Sequence, residues 1–266
     1  MGAVSPIPVL ILLASGLHAQ TPARPKFEEF EVAAIKPAPP NSPGRFLRMQ
    51  SPNQFVARNH SVNTLIAAAY NLNPRMISKS PGWADSERYD ILAKTPGNVR
   101  PNLEEQMAML RKLLAERFKL TFHRERRELP IFALTVARSG LKLKESAAPP
   151  ESFPEGPPPL IFVVSPVVIR LPARCATVAE LAWVMQRSAL DHPVVDRTGL
   201  SARYDFDLEF TPDETVFGGA LGKGTDESTE PGLFGALQEQ LGLKVAATKG
   251  PVDVMIVDRV ERPRED

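Results

Sequence analysis

Apolar positions change period along this chain in a cycle that runs twice. Phe30, Val32 and Ala34 alternate with Glu31, Ala33 and Ile35 as a strand, and residues 46–49 with 54–57 predict a short hairpin turning at Ser51-Pro52-Asn53. The period then becomes helical. Val62, Leu65, Ile66, Ala69 and Tyr70 follow Ser61, whose hydroxyl can cap the first free amides. In the second cycle Thr177 with Glu180 makes a capping box ahead of Val178, Leu181, Ala182, Val184 and Met185. A strand follows each helix, over residues 89–94 and 203–209, and in the latter Tyr204, Phe206, Leu208 and Phe210 share one face. A second helix comes next: Asn102 and Glu105 form a box before Leu103, Met107, Leu110, Leu114 and Phe118, and residues 233–241 repeat the pattern. Two antiparallel strands are expected to close each cycle, 119–124 with 129–136 and 244–249 with 252–260, with Gly250-Pro251 marking the second turn.

The cycles are similar in residue as well as in period. Residues 110–138 align without a gap on 233–261 at an offset of 123: leucine recurs at 110/233, 114/237 and 120/243, and glutamate at 116/239. Arg88-Tyr89-Asp90 recurs as Arg203-Tyr204-Asp205 at an offset of 115, and Ser61-Val62 with Leu65 as Thr177-Val178 with Leu181 at 116. The surplus falls in 211–232, where a loop lengthens at little entropic cost. This implies an internal duplication and an α+β fold of two tandem similar units, each with two helices packed on a mainly antiparallel sheet. The expected boundaries are 20–146 and 160–266. Residues 147–159, with six prolines in thirteen positions, form the linker, extended and semi-rigid because proline fixes φ and removes a donor.

The N-terminus adds a destination. Residues 1–19 carry no charge, hold an apolar core over 7–13 and end in Leu17-His18-Ala19, which fits a secretory signal and predicts an exported, periplasmic or extracellular chain beginning near Gln20. The apolar run is too short to span a bilayer, and no transmembrane segment is expected in the mature chain. The single cysteine, Cys175, cannot form an internal disulfide, so stability rests on burial. Lys and Arg number 32 against 31 acids, a balance that argues against nucleic acid as a partner.

Candidate chemistry is sparse. Cys175 precedes the helix starting at Thr177, with His60 or His192 as conceivable bases, but Asn59 holds the same place in the first cycle, and a buried small hydrophobe accounts for the thiol. His60, His123 and His192 show no spacing that puts two ligands on one metal. Asp191-His192 and Asp196 beside Arg197 fit a polar connection between a helix and a strand. Residues 217–225 imitate a phosphate loop but lack its first glycine and its hydroxyl, so no cofactor is expected. In the repeated Arg-Tyr-Asp triplet a surface ion pair and a core tyrosine explain the pattern. Trp83, in Pro81-Gly82-Trp83, is a candidate aromatic anchor. His123, Arg124, Arg126 and Arg127 lie on a charged stretch read as an exposed hairpin tip that the second cycle lacks, which makes them candidate partner-binding residues. No catalytic or metal site is assigned.

Phe30 through Pro37, Pro81-Gly82-Trp83 ahead of Arg88-Tyr89-Asp90, residues 113–118 and Val195 through Leu200 ahead of Arg203-Tyr204-Asp205 together resemble the uncharacterised soil-associated proteins expanded in Acidobacteria. The resemblance covers essentially the whole mature chain. It carries no established activity and so transfers no catalytic residue. Related domains accompany membrane metallopeptidases of the antibiotic-sensor type, whose His-Glu-x-x-His helix this chain lacks; by analogy the resemblance implies binding outside the membrane. The expectation is therefore an exported, non-catalytic binding or protein-interaction module for an unknown envelope or extracellular protein or glycan, with exposed strand edges able to accept a partner strand. The alternative is an envelope hydrolase with its site between the two units.

Overall fold

The structure is a computed structural model that describes residues 24–264 apart from 41, 43, 154–157, 159, 166 and 218–229. The expected signal at 1–19, part of the linker, and most of the phosphate-loop imitation lie outside the described residues. The fold is α+β, with five α-helices and three four-stranded sheets among the described residues.

In the first half, β1 (Val32–Pro37), β2 (Phe46–Ser51), β3 (Gln54–His60), α1 (Val62–Ala69), β4 (Ile77–Ser78), α2 (Trp83–Ser86), β5 (Tyr89–Lys94), α3 (Leu103–Arg117) and β6 (Thr121–Val136) follow in order. The second half runs β7 (Lys144–Glu145), β8 (Val163–Val164), β9 (Ile169–Ala176), α4 (Val178–Val184), β10 (Val194–Asp196), β11 (Tyr204–Phe210), α5 (Leu233–Gln240) and β12 (Leu243–Arg259). Helix starts follow their capping chemistry: Ser61 Oγ accepts from Thr64 N at 3.2 Å, and both boxes, Asn102 with Glu105 and Thr177 with Glu180, close reciprocally. One sheet belongs to the first half, in the order β1-β5-β3-β2, and one to the region from β7 onward, β7-β11-β9-β8. Strand β9, absent from the expected elements, alternates buried Ile169, Leu171 and Ala173 with exposed Arg170 and Arg174.

The third sheet departs from expectation. The two closing hairpins do not form; each run is one long strand, and β6 and β12 pair with each other, antiparallel, from Leu243 against Val136 to Arg259 against Thr121. Gly250 does not turn the chain. It lies opposite Leu129, and a Cβ there would come within 2.5 Å of Arg197 Nη2 and 2.7 Å of Ile131 Cδ1, so the glycine serves a close approach. The stretch from His123 to Glu128 is accordingly mid-strand and not a hairpin tip. Short strands complete the sheet across the halves: β4 runs parallel to β12, with Ile77 against Met255, and β10 parallel to β6, with Val194 against Phe132. The order β10-β6-β12-β4 thus reads alike from either end. Each unit was expected to close on its own strands, whereas the central sheet draws on both.

The cores interlock accordingly. Phe55, Leu65, Ile66, Leu110, Leu114 and Phe118 pack with Met255 and Val257 of β12, while Leu181, Leu208, Phe210 and Leu237 pack with Leu134 of β6. Burial of such side chains is worth about 1.5–3 kcal/mol each, so each half draws stability from the other's long strand.

Two backbone devices occur in both halves. Asn59 and Cys175 have left-handed φ of 57° and 54° at bulges in the β3–β5 and β9–β11 ladders, and their amides donate to Asp90 Oδ1 at 2.9 Å and Asp205 Oδ1 at 2.8 Å. The aspartates of the repeated triplet therefore hold a bulge; Asp90 pairs with Arg58 at 3.4 Å and not with the arginine two residues before it. Tyr89 and Tyr204 are buried as the pattern implies. The second device ends a helix: Lys119 after α3 and Gly242 after α5 take φ of 55° and 67°. A Cβ on Gly242 would overlap the Gly140 carbonyl oxygen and come within 2.7 Å of Lys142 N. Gly242→Ala is therefore expected to lower the unfolding free energy in urea by more than about 2 kcal/mol, whereas Lys119→Gly, relieving a side chain of left-handed strain, is expected to be neutral or to stabilise by about 0.5–1 kcal/mol.

Candidate functional site

The halves meet where α1 ends and α4 passes into a π-helical turn, Met185–Ala189. Asn71, at φ 55°, reverses the chain after α1, and Asn73 caps the 3-10 turn Pro74–Met76 by accepting from Arg75 N at 3.0 Å. The Asn73 side chain, 2 % exposed, also donates to the Gln186 carbonyl at 3.0 Å, a buried hydrogen bond from one half to the other. Gln186 Oε1 in turn accepts from Val194 N at 3.2 Å and fixes the start of β10.

These elements enclose a cleft of about 330 Å³ lined by Asn71, Met76, Ala179, Ala182, Trp183, Gln186, Val195, Asp196 and Val252. A second cleft of about 370 Å³ opens between α1, α4 and the start of α3, lined by Ala68, Leu103, Met107, Glu104, Arg111 and Glu180, and the two share Asn71, Ala179 and Trp183. Trp183 is half-buried, and the Arg187 guanidinium lies over its ring at 5.0 Å. At the rim Arg111 is held between Glu104 at 2.6 Å and the Ala69 carbonyl at 2.9 Å, where its charge meets the C-terminal end of α1. Asp196 is committed to its own turn, accepting from Thr198 N at 2.9 Å and Thr198 Oγ1 at 2.7 Å. The walls are apolar and aromatic with a few polar groups converging, a composition suited to binding a small ligand. The lining places no nucleophile in hydrogen-bonding reach of a base.

The other candidates lie apart. Cys175 is 0 % exposed and buried within its sheet. His60 is 8 % exposed, with Nδ1 against Thr64 Oγ1 at 3.2 Å. Asp191 does contact His192 at 2.6 Å and Arg75 at 3.1 Å, an exposed ion cluster bridging the halves, and the His192 ring packs edge-on against Phe132. Among the described residues no group of three or more His, Cys, Asp or Glu is placed to hold a metal ion. Trp83 packs against the first core with Arg262 over its ring at 4.9 Å. On β6, His123 bridges Asp258 at 2.8 Å and Glu125 at 3.1 Å, hydrogen bonds that hold its imidazolium above the usual range, and Arg127 Nε donates to Glu125 at 2.9 Å. Arg124 and Arg126 are exposed on the same strand.

A model of the family described as "Protein of unknown function (DUF3738)" matches residues 63–260. The chain belongs to that family. No curated protein and no solved structure matches it. Among the described residues no helix is long and apolar enough to cross a membrane.

The helical period singles out Val178, Leu181, Ala182, Val184 and Met185 and assigns no role to Trp183. The available signal was asymmetry: Ala67 stands 116 residues earlier, at the same place after the helix cap.

His60 predicts a pH dependence. Burial, with the charge of Arg45 next in weight, pushes its imidazole down to about 4 from an ordinary 6.5. Folded His60 binds a proton less tightly than the unfolded residue, so acid favours unfolding: its contribution is whole above about pH 6.5 and lost as pH falls toward 4. The loss amounts to about 3 kcal/mol at most. Urea midpoints measured from pH 7 to 4 are expected to fall more steeply for the wild type than for His60→Ala; equal slopes would remove His60 from the account.

Proposed function

We propose that the chain is an exported, non-catalytic binding module, and that its ligand occupies the cleft where the two halves meet. The observation that carries this reading is Trp183: a half-buried indole, backed by Arg187, on a wall shared by both clefts, where the matching position of the first half is Ala67. A tryptophan that packs only partly against the second core, set among methionine, alanine and a few amide and carboxylate groups, suits a ligand with one apolar face and several hydroxyl or amide groups. Among envelope ligands, a sugar ring of a glycan has that shape. Export rests on the apolar segment at 7–13 and the small-residue end at Ala19.

The reading of the halves as copies of one unit is supported by register. Val252 pairs with Arg127 and Gly250 with Leu129, and a shift of 123 residues turns one pair into the other, with Glu128 against Pro251 at the midpoint. A ligand seat at the meeting of two copies would take unequal contributions from each, as Trp183 and Ala67 provide. Arg124 and Arg126, exposed on one face of β6, are proposed as a second contact surface, whereas His123 and Arg127 lie on the opposite face engaged with Glu125, and Trp83 packs against the first core.

The test is binding of the purified chain to immobilised envelope oligosaccharides. Wild type is expected to bind a subset saturably, and Trp183→Ala to lose at least about tenfold in affinity while keeping its far-ultraviolet circular dichroism. Equal binding by Trp183→Ala, or none by the wild type, overturns the reading.

A further inference from the structure

The second cleft differs from the first in carrying a guanidinium. Leu103, Glu104, Met107 and Arg111 of α3, with Ala68 and Ala69 of α1 and Trp183 of α4, enclose its volume of about 370 Å³. Glu104 and Arg111 stand seven residues apart on α3, two helical turns, and so share one of its faces. Arg111 is the one cation among the described residues that line either cleft. We propose that Arg111 binds a carboxylate of the ligand, which makes the second cleft the seat of an acidic sugar residue, a uronic acid in chemical class. This rests on the reading of the clefts as a glycan site and names the kind of sugar that the site selects.

The geometry of the guanidinium carries the inference. Arg111 Nη1 donates to the Ala69 carbonyl at 2.9 Å, which anchors the group to the main chain at the end of α1, while Nη2 donates to Glu104 Oε1 at 2.6 Å. The two partners of that ion pair are unequally placed: the Arg111 side chain is 31 % exposed and the Glu104 side chain 79 %. A carboxylate that far into water is held weakly and returns to solvent at little cost, whereas the more enclosed guanidinium needs an anion beside it. An arriving carboxylate replaces Glu104, one negative charge for another, and gains the paired N–H geometry that a planar guanidinium offers a planar acid. The charges nearby choose the sign and the number. Glu180, the other acid on the wall, is already committed to the Thr177 amide at 2.7 Å and to Arg203 at 3.4 Å. One cation between two carboxylates admits a single negative charge and not a dianionic phosphate, and an ammonium would compete with Arg111 for Glu104. Leu103, Met107 and Trp183 leave an apolar surface beside the guanidinium for the face of the sugar ring.

The test titrates the purified chain calorimetrically with one disaccharide in three forms, ending in glucuronic acid, in the corresponding glucuronamide or in glucosamine. The acid is expected to bind at least about tenfold more tightly than the amide, and Arg111→Gln to abolish that preference by weakening the acid alone. Glu104→Gln, which removes the exposed competitor, is expected to tighten the acid about two- to fivefold and to leave the amide unchanged. That gain is one a merely structural pair would not give, and with Arg111→Lys it keeps the test decisive if Arg111→Gln fails to fold. Equal affinity of the wild type for acid and amide, tighter binding of the glucosamine form, or an equal loss of acid and amide in Arg111→Gln overturns the inference; the cleft reading survives each of these if Trp183→Ala still loses the disaccharides. No binding of any form removes both.

Discussion

The antiparallel pairing of β6 with β12 is the contact on which the rest of the molecule depends. It joins segments more than a hundred residues apart, so its closure costs chain entropy that local turns do not. The return is burial at both ends of the ladder, where Met255 and Val257 enter the first core and Leu134 the second. Parallel addition of β4 and β10 then carries each half's first-helix region onto the other half's long strand, and the Asn73–Gln186 hydrogen bond fixes the helices over it. The cleft is a by-product of that seam: two helix ends brought together by the sheet beneath, without complementary side chains to fill the gap.

Because similar chain segments occupy both ends of the central sheet, each half serves as a control for the other. Positions alike in both, such as the aspartates that hold Asn59 and Cys175 and the left-handed residues after α3 and α5, answer to backbone geometry. Positions that differ separate packing from chemistry. Gly242 is glycine because Gly140 and Lys142 crowd it, a constraint its counterpart Lys119 escapes. Trp183 stands 116 residues after Ala67, at the same place behind a helix cap, and it is there that the ligand contact is proposed.

Much of the architecture was legible in local pattern. The capped starts of α1, α3 and α4, the β2–β3 hairpin and the buried faces of β5 and β11 all follow from short-range periodicity and capping chemistry, which depend on neighbours within a few residues. The partner of a long strand is different. The charged run from His123 to Glu128 and the Gly250-Pro251 pair have the composition of turns, yet a strand partner of matching length satisfies their backbone, and alternation along a strand says nothing of which strand lies beside it. Strand β9 went unread because prolines surround it, although its alternation is plain in burial.

The amino-acid sequence by itself determined the fold class and the capped helix starts, since these rest on side-chain period and on caps that reach only three or four residues. Tertiary structure alone decided that the closing strands exchange partners, that the halves share a sheet, and that Trp183 stands on a wall shared by two clefts. The physical reason is range: hydrogen bonds between strands and fields between charges act through space, and their partners are chosen by how the whole chain buries its apolar faces.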